Sequence, residues 1–377
     1  MTEGLVISVD AMSGDAGPNP IIGGLARALH DNPKLRFIVF GDSEVLAPKL
    51  RRRRYGDLAK AVELRHSADI VLMSDVPSRA LRERRASSMW ASLEAVRDGE
   101  ARVALSCGNT GALLAMSVFI LRKAPGIDRP AIAVHWPARA AHGFNIVLDV
   151  GADIRAAPHT LMQYAVMGAE YARLSFGIER PRVGFLNIGT EPTKGHADLR
   201  SAAEKAEAVA ATPDAPFAAV GFVEGSDIPS TKADVIVTDG FTGNIALKTA
   251  EGTAAFIRRG LKEAFEHSIW SKIGTLFALT SLRRLKRRID PRRVNGGVFL
   301  GLNGTVVKSH GDADAIGVSA AVQLAATIAA RDLGDAVHQH LGRLDLSDLA
   351  YTATGDAGSP ATPTPPFSPA VVEEPRR

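Results

Sequence analysis

The chain has 377 residues, which suits one large α/β domain or two closely joined ones. Its 45 lysines and arginines against 41 aspartates and glutamates leave a formal charge of +4, too small an excess for a nucleic-acid-binding surface. The single cysteine, Cys107, excludes an intrachain disulfide and any multi-cysteine zinc site, and so agrees with a reducing cytoplasm.

The opening MTEGLVISVD lacks the basic-then-apolar order of a secretory signal. No run approaches the roughly 20 consecutive apolar residues of a spanning helix; the uncharged piece Ile273 to Leu282 is too short. Leu5 to Val9 predicts a buried strand that ends in DAMSGDAGPNP, where Asp10 and Asp15 flank a glycine turn and Pro18 opens a helix. Ile21, Ile22, Leu25 and Leu29 mark one face of that helix. Phe37 to Phe40 and Val62 to Leu64 are further strands, and between them Arg51 to Arg54 form a charge run of the kind usually found on a solvated helix face.

Ser87 to Arg97 predicts a helix capped by Ser87 or Ser88, and Arg102 to Leu105 a strand running into SCGNTGALLAM. Ala131 to His135 and Phe144 to Asp149 are strands, and Thr160 to Phe176 is a long amphipathic helix. The strand Arg182 to Ile188 closes with Gly189-Thr190-Glu191-Pro192-Thr193-Lys194-Gly195; Asp198 to Ala211 is a helix and Phe217 to Val223 a strand. In DVIVTDGFTGNIALK, Val235 to Val237 form a strand buried on both sides, and Asp239-Gly240 and Thr242-Gly243 form a capped turn before a helix starting at Ile245. Strands alternating with helices in this way indicate right-handed crossovers and a mainly parallel sheet. Thr249 to His267 and Ser271 to Arg288 then read as two successive helices, a hairpin insertion over 254–293. Val306 to Ser309 restores a strand and Ala315 to Arg331 a last helix. The domain so delimited runs over 1–350, and the Pro-rich tail, 351–377, lacks the apolar content to fold.

Several residues at these strand ends are suited to chemistry. Lys308 and His310, two apart at a strand end, read either as an anion-binding and proton-transfer pair or as a surface lysine and a backbone-bonded histidine. Lys194, with Glu191 to orient it, stands in a loop before a helix where an ammonium and helix N–H groups hold phosphate; the alternative is a loop ion pair. Asp10, Asp15, Asp149 and Asp239 fall at C-terminal strand ends, where open parallel sheets place ligands and where aspartates also cap helices. Gly108-Asn109-Thr110-Gly111 and Thr242-Gly243-Asn244 form similar cradles facing one cleft. Cys107 reads as a buried small hydrophobe. Ile269, Trp270, Ile273, Leu276 and Phe277 at helical spacing, followed by Arg283, Arg284, Lys286, Arg287, Arg288, Arg292 and Arg293, fit a helix on an anionic membrane, a dimer-packing helix, or a surface for an acidic protein.

Taken together, DAMSGD, SSMW, SCGNTGALLA, GIDRPA, LDVGA, NIGTEPTKG, TDGFTGNIALK and LGLNGTVVKSHG resemble, in order and content, the bacterial PlsX phosphate acyltransferase family over Leu5 to Arg331. The resemblance implies a homodimeric three-layer α/β/α fold related to phosphotransacetylases and isocitrate-type dehydrogenases, with a protruding helical hairpin matching Phe256 to Ile289. It implies transfer of a long-chain acyl group from acyl carrier protein to inorganic phosphate for phospholipid synthesis. A cytoplasmic protein peripherally attached to an anionic membrane is expected, handing acyl phosphate to a membrane glycerol-3-phosphate acyltransferase. Ser13 stands where the family commonly has glycine, and Cys107 where it has alanine.

For that reaction the sequence suggests Lys194 and Lys308 as phosphate-holding cations, Asn109 and Asn244 as oxyanion donors, His310 as proton donor to the thiolate, and Asp239 as orienter of a cation. Asp10, Asp15, Gly108, Thr110, Asp149, Glu191, Thr193, Gly243, Lys248 and Asn303 complete the expected substrate-binding set. The scheme needs no metal or nucleotide. A phosphotransacetylase using acyl-coenzyme A is the alternative; a nicotinamide-dependent decarboxylating dehydrogenase and a membrane scaffold are rivals.

Overall fold

The computed structural model describes residues 4–268, 280, 296–329 and 333–342. Its strands β1 (Val6–Asp10), β2 (Arg36–Gly41), β3 (Val62–His66), β4 (Val103–Ser106), β5 (Ala131–Pro137), β6 (Phe144–Leu148), β7 (Arg182–Leu186), β8 (Ala218–Val223), β9 (Val235–Val237), β10 (Gly297–Leu300) and β11 (Thr305–Lys308) form one sheet. The order is β3-β2-β1-β4-β11-β10-β5-β6-β9-β7-β8. Most of these strands are short apolar runs covered on both faces, as a parallel sheet requires.

The helices make the outer layers. On one face α1 (Pro18–Asp31), α7 (Pro158–Phe176), α8 (Ala197–Ala210) and α10 (Ala315–Ala329) bury Leu25, Tyr164, Tyr171, Ala206 and Val318 against Val9, Leu105 and Val237. On the other, α5 (Ser88–Arg97), α6 (Thr110–Leu121) and the first turns of α9 (Gly240–Glu266) cover Ala104, Val147, Ile236 and Val306. Smaller helices α2 (Ser43–Leu50), α3 (Gly56–Ala61) and α4 (Pro77–Glu83) complete the first half, and α11 (Leu333–Leu341) follows α10. A Cβ on Gly24 would lie 2.5 Å from the Val318 Cβ, so glycine is what lets α1 and α10 pack in contact.

The mainly parallel three-layer fold expected from the sequence is present, with one feature unforeseen. β3, β2, β1, β4 and β11 are parallel to one another, and so are β6, β9, β7 and β8. The antiparallel pairs β11–β10, β10–β5 and β5–β6 lie between these blocks and reverse their sense. The C-terminal strand ends of one block therefore point to the opposite edge from those of the other. The strand β10 was not anticipated; Gly297–Leu300 is only four residues of apolar chain, although Asn295-Gly296 is a turn signal just before it.

The last helix of the central pattern also differs from expectation. α9 starts at Gly240, five residues before Ile245, because the Asp239 carboxylate caps the Thr242 amide at 2.8 Å. From Gly252 to Ala264 every α9 residue is exposed, Phe256 at 78%, Ile257 at 52% and Leu261 at 42%. Of the expected second hairpin helix only residue 280 is described, so Trp270, Ile273, Leu276 and Phe277 lie outside the described residues, as does the tail. Among the described residues no helix is long and apolar enough to cross a membrane.

Candidate active site

The register of three adjacent strands sets Asp10 of β1, Ser106 of β4 and Lys308 of β11 abreast at one sheet edge. Each ends its strand, so the side chains lie where the chain leaves the sheet. Asp10 is buried and its carboxylate accepts from Ser88 Oγ at 2.6 Å, Ser106 Oγ at 2.7 Å and the Met12 and Ser13 amides at 3.2 and 3.3 Å. Both oxygens are committed, so Asp10 braces the Met12–Ser13 turn rather than binding substrate. Ser106 Oγ in turn accepts the Gly108 amide at 3.0 Å, which fixes the start of the second turn.

Three glycines let these turns close on one another. A Cβ on Gly14 would stand 3.1 Å from the Cys107 Cβ, one on Gly108 2.6 Å from the Ser13 Cβ, and one on Gly311 2.3 Å from Asp15 Oδ2. Lys308 enters this enclosure with Nζ donating to the Ser309 carbonyl. Burial pushes the Lys308 ammonium below the usual lysine range, opposed by Cys107, Asp15, Asp10 and Asp312. Ser13 Oγ is buried and has no hydrogen-bond partner among the described residues. Cys107 is 3% exposed and burial pushes its thiol up to about 11, which suits the inert hydrophobe expected.

His310, just beyond Lys308, faces α9: its Nε2 lies 3.2 Å from Glu251 Oε1. The hydrogen bond from His310 holds the Glu251 carboxyl below its usual range. Glu251, Lys248 and Asn244 are spaced three and four apart, so they share one face of α9. The Asn244 Cβ stands 3.9 Å from where a Cβ on Gly151 would be, at the other sheet edge. Some 10 Å of helix thus spans from that edge to His310.

At the other edge the expected residues prove to be structural. Asp149 is fully buried and accepts the amides of Ile132, Gly151, Ala152 and Asp153 at 2.6 to 3.1 Å, yet burial still lifts its carboxyl to about 6. It nests a turn and has no oxygen to spare. Asp239 spends its carboxylate on the Thr242 amide and hydroxyl, at 2.8 and 2.9 Å, and so caps α9 instead of orienting a cation. Gly243 is packed on the Asp149 carbonyl, 1.9 Å from any added Cβ.

Lys194, Glu191 and Thr193 are exposed on the loop after β7, which Asn187 pins by donating to the Lys194 carbonyl at 3.1 Å. From β11 to β7 there are five strand steps, about 24 Å at roughly 4.8 Å each. Lys194 and Lys308 therefore do not hold one phosphate, which corrects the pairing expected from the sequence.

Two asparagines are corrected in the same way. Asn109 Oδ1 caps the Ala112 amide at 3.0 Å while its Nδ2 donates to the Met73 and Asp75 carbonyls at 2.8 and 3.0 Å, leaving no N–H for an oxyanion. Asn303 donates to the Lys123 carbonyl at 3.1 Å in the turn before β11, at the edge away from Lys308. Thr110 is exposed at the first turn of α6, beside Gly108, and stays with the enclosure.

The structure thus brings together Asp15, Gly108, Thr110, Lys308, His310 and Lys248, adds Ser13, Ser106 and Glu251, and leaves Asn244 at the far end of the α9 stripe. Ser13 was noted in sequence only as a departure from glycine. Glu251 was missed, although it sits one helical turn past Lys248. Among the described residues no group of three or more His, Cys, Asp or Glu is placed to hold a metal.

The model of the family described as fatty acid synthesis protein matches residues 5–335. A phosphate acyltransferase of Dinoroseobacter shibae is 59% identical over 326 residues, covering 86% of this chain and 84% of that protein. One from Ruegeria sp. is 53% identical over 370 residues, covering 95% and 96%. Among solved structures, a phosphotransacetylase from Streptococcus pyogenes has TM-score 0.57 at 18% identity, covering 88% of this chain and 96% of its own. The EutD phosphotransacetylase from Staphylococcus aureus has TM-score 0.53 at 16% identity, covering 88% and 94%. At these identities the last two likenesses show the fold.

Proposed function

We propose that this chain, which belongs to the fatty acid synthesis protein family of PlsX phosphate acyltransferases, transfers a long-chain acyl group from acyl carrier protein to inorganic phosphate. The observation that carries the reading is the glycine-walled enclosure around Lys308, set abreast of Ser106 and Asp10 and opening beside His310.

The chemistry follows from the groups present. A phosphate oxygen attacks the thioester carbonyl carbon; a C–O bond forms and the carbonyl electrons move onto oxygen. The tetrahedral oxyanion collapses, the C–S bond breaks, and the electron pair leaves with sulfur. Phosphate is already ionised near neutrality, so positioning and charge matter more than a strong base. Lys308 holds the phosphate, its desolvation strengthening that attraction. Ser13 Oγ, buried and unpartnered, donates to the developing oxyanion in place of Asn109. His310, oriented by Glu251, gives its proton to the departing thiolate. Lys248, on the same face of α9, faces the anionic end of the substrate.

The exposed apolar residues Phe256, Ile257 and Leu261 of α9 support peripheral association with an anionic membrane, as expected of a homodimer delivering acyl phosphate to a membrane glycerol-3-phosphate acyltransferase for phospholipid synthesis. The test is incubation with long-chain acyl carrier protein and labelled phosphate. Acyl phosphate should form, and faster than from the same acyl group on coenzyme A; preference for coenzyme A would make the chain a phosphotransacylase of that donor.

A further inference from the structure

The connection from α2 to α3 reads Arg51-Arg52-Arg53-Arg54-Tyr55, and all four arginines are exposed. Some surface arginines are paired, Arg65 with Glu63 and Glu100, Arg79 with Glu83 and Arg97 with Glu94 and Asp98, whereas this run sets four side by side. No carboxylate among the described residues pairs with Arg51, Arg52, Arg53 or Arg54; Arg54 stacks over the Tyr55 ring at 4.7 Å. Four adjacent unpaired guanidiniums repel one another, a cost that an acidic partner would relieve.

The run belongs to a longer basic strip that starts next to the candidate active site. Lys49 Nζ donates to Asn19 Oδ1 at 2.8 Å, at the α1 end that follows the Asp15 turn. The Tyr55 hydroxyl lies 3.9 Å from the Cβ position of Gly23, which itself abuts Ala315, four residues after Gly311. At its far end the strip borders a cavity of about 460 Å³ lined by His30, Arg36, Arg54, Tyr55 and Lys60. Its one acidic lining residue, Asp57, is already paired with Lys60 at 3.3 Å. From Asn19 to His30 α1 advances about 16 Å, the length of three turns of a helix laid alongside.

We infer that the strip Lys49 to Arg54, continued by Arg36, is the docking surface for the acidic carrier protein that presents the acyl thioester; this rests on the function proposed above. The surface is positive, concave at one end and adjacent to the enclosure at the other, so a partner seated on it has its acyl arm beside Lys308. A membrane fits it less well. Lipid-facing surfaces need apolar side chains to insert, and on α2 and α3, which carry the strip, the large exposed apolar residue is Val45, at 37%, while others stand on α6, α9 and α10, Phe119, Phe256 and Ile316 among them.

The test is the double variant Arg51→Glu with Arg53→Glu, assayed at low salt with acyl carrier protein and with acyl-coenzyme A as donors. The KM for the carrier protein should rise by about tenfold or more with kcat retained, turnover of acyl-coenzyme A should stay at its parental rate, and Arg51→Lys with Arg53→Lys should behave like the parent. A carrier KM within twofold of the parent would overturn the inference, as would equal losses with both donors. Weaker sedimentation with anionic phospholipid vesicles at unchanged carrier KM would also overturn it and assign the strip to lipid. If the parent makes no acyl phosphate from either donor, the functional reading fails instead; the docking surface is then judged by direct titration with unacylated carrier protein, where equal binding by parent and variant, or by neither, refutes it.

Discussion

Replacing Lys308 with Ala should lower kcat/KM for acyl phosphate formation by about 100-fold or more, equivalent to about 2.7 kcal/mol of barrier. The magnitude comes from the setting of its ammonium. Nζ is the ammonium set among Asp10, Asp15 and Asp312; without it an incoming phosphate meets these carboxylates with the charge beside them removed. A unit charge pair at contact distance near a protein surface interacts by about 4 kcal/mol at an effective dielectric of 20, and a hydrogen bond to a charged group is worth about 1.5 to 3 kcal/mol net. The control is Lys194→Ala. That residue is exposed and about 24 Å away across the sheet, so its loss should change the rate by less than about threefold. Initial rates with labelled phosphate are measured on variants whose melting curves match the parent. A Lys308→Ala enzyme within about threefold of the parent, or a Lys194→Ala enzyme as impaired as Lys308→Ala, would refute the reasoning.

Glu251→Gln removes the carboxylate that orients His310, so kcat should fall about tenfold with KM for phosphate little changed; an unchanged kcat would separate the pair from proton transfer. Gly243→Ala sets a Cβ against the Asp149 backbone carbonyl and should cost about 3 kcal/mol in denaturant unfolding. His135 is stacked on Phe144 and Tyr171 and tilted against Phe176, and burial lowers its pKa from 6.5 to about 4. Its folded value lies below its unfolded one, so its contribution, up to about 3 kcal/mol, is present above pH 6.5 and lost as pH falls toward 4. Unfolding of His135→Leu followed over that window should show a shallower pH dependence than the parent. Phe256→Ser with Ile257→Ser should reduce cosedimentation with anionic vesicles while turnover of soluble substrate persists; full retention on vesicles would remove α9 from membrane attachment.

What could be read in the sequence divides along a physical line. Buried β-branched runs such as Val235–Val237 and helix faces such as Ile21, Ile22, Leu25 and Leu29 declare their state locally, and these elements are where they were expected. Strand sense is not local. Reversal of the second block by β10, β5 and β6 separates Lys308 from Lys194, and no composition signal in GVFL or AIAVHWP announces it. Asn109, Asp239 and Asn303 were misassigned for a different reason: the side chains that cap turns are the ones that bind anions, and only their hydrogen-bond partners tell the two uses apart. Glu251 was missed because its meaning lies in a contact with His310, 59 residues later in the chain.

The position of β11 has a consequence for synthesis of the protein. This strand lies between β4 and β10 in the middle of the sheet, yet among the described residues it is the last strand in chain order. Until residues 305–308 leave the ribosome, β4 presents an unpaired edge, and the first block has nothing to join it to the second. Closure of the sheet is then a late, long-range event, slow by the entropy of the loops it must close and exposed to mispairing meanwhile. Because the closing strand also carries Lys308, a nascent chain cannot assemble the enclosure before the whole sheet has formed: catalytic competence and completion of the fold arrive in one step.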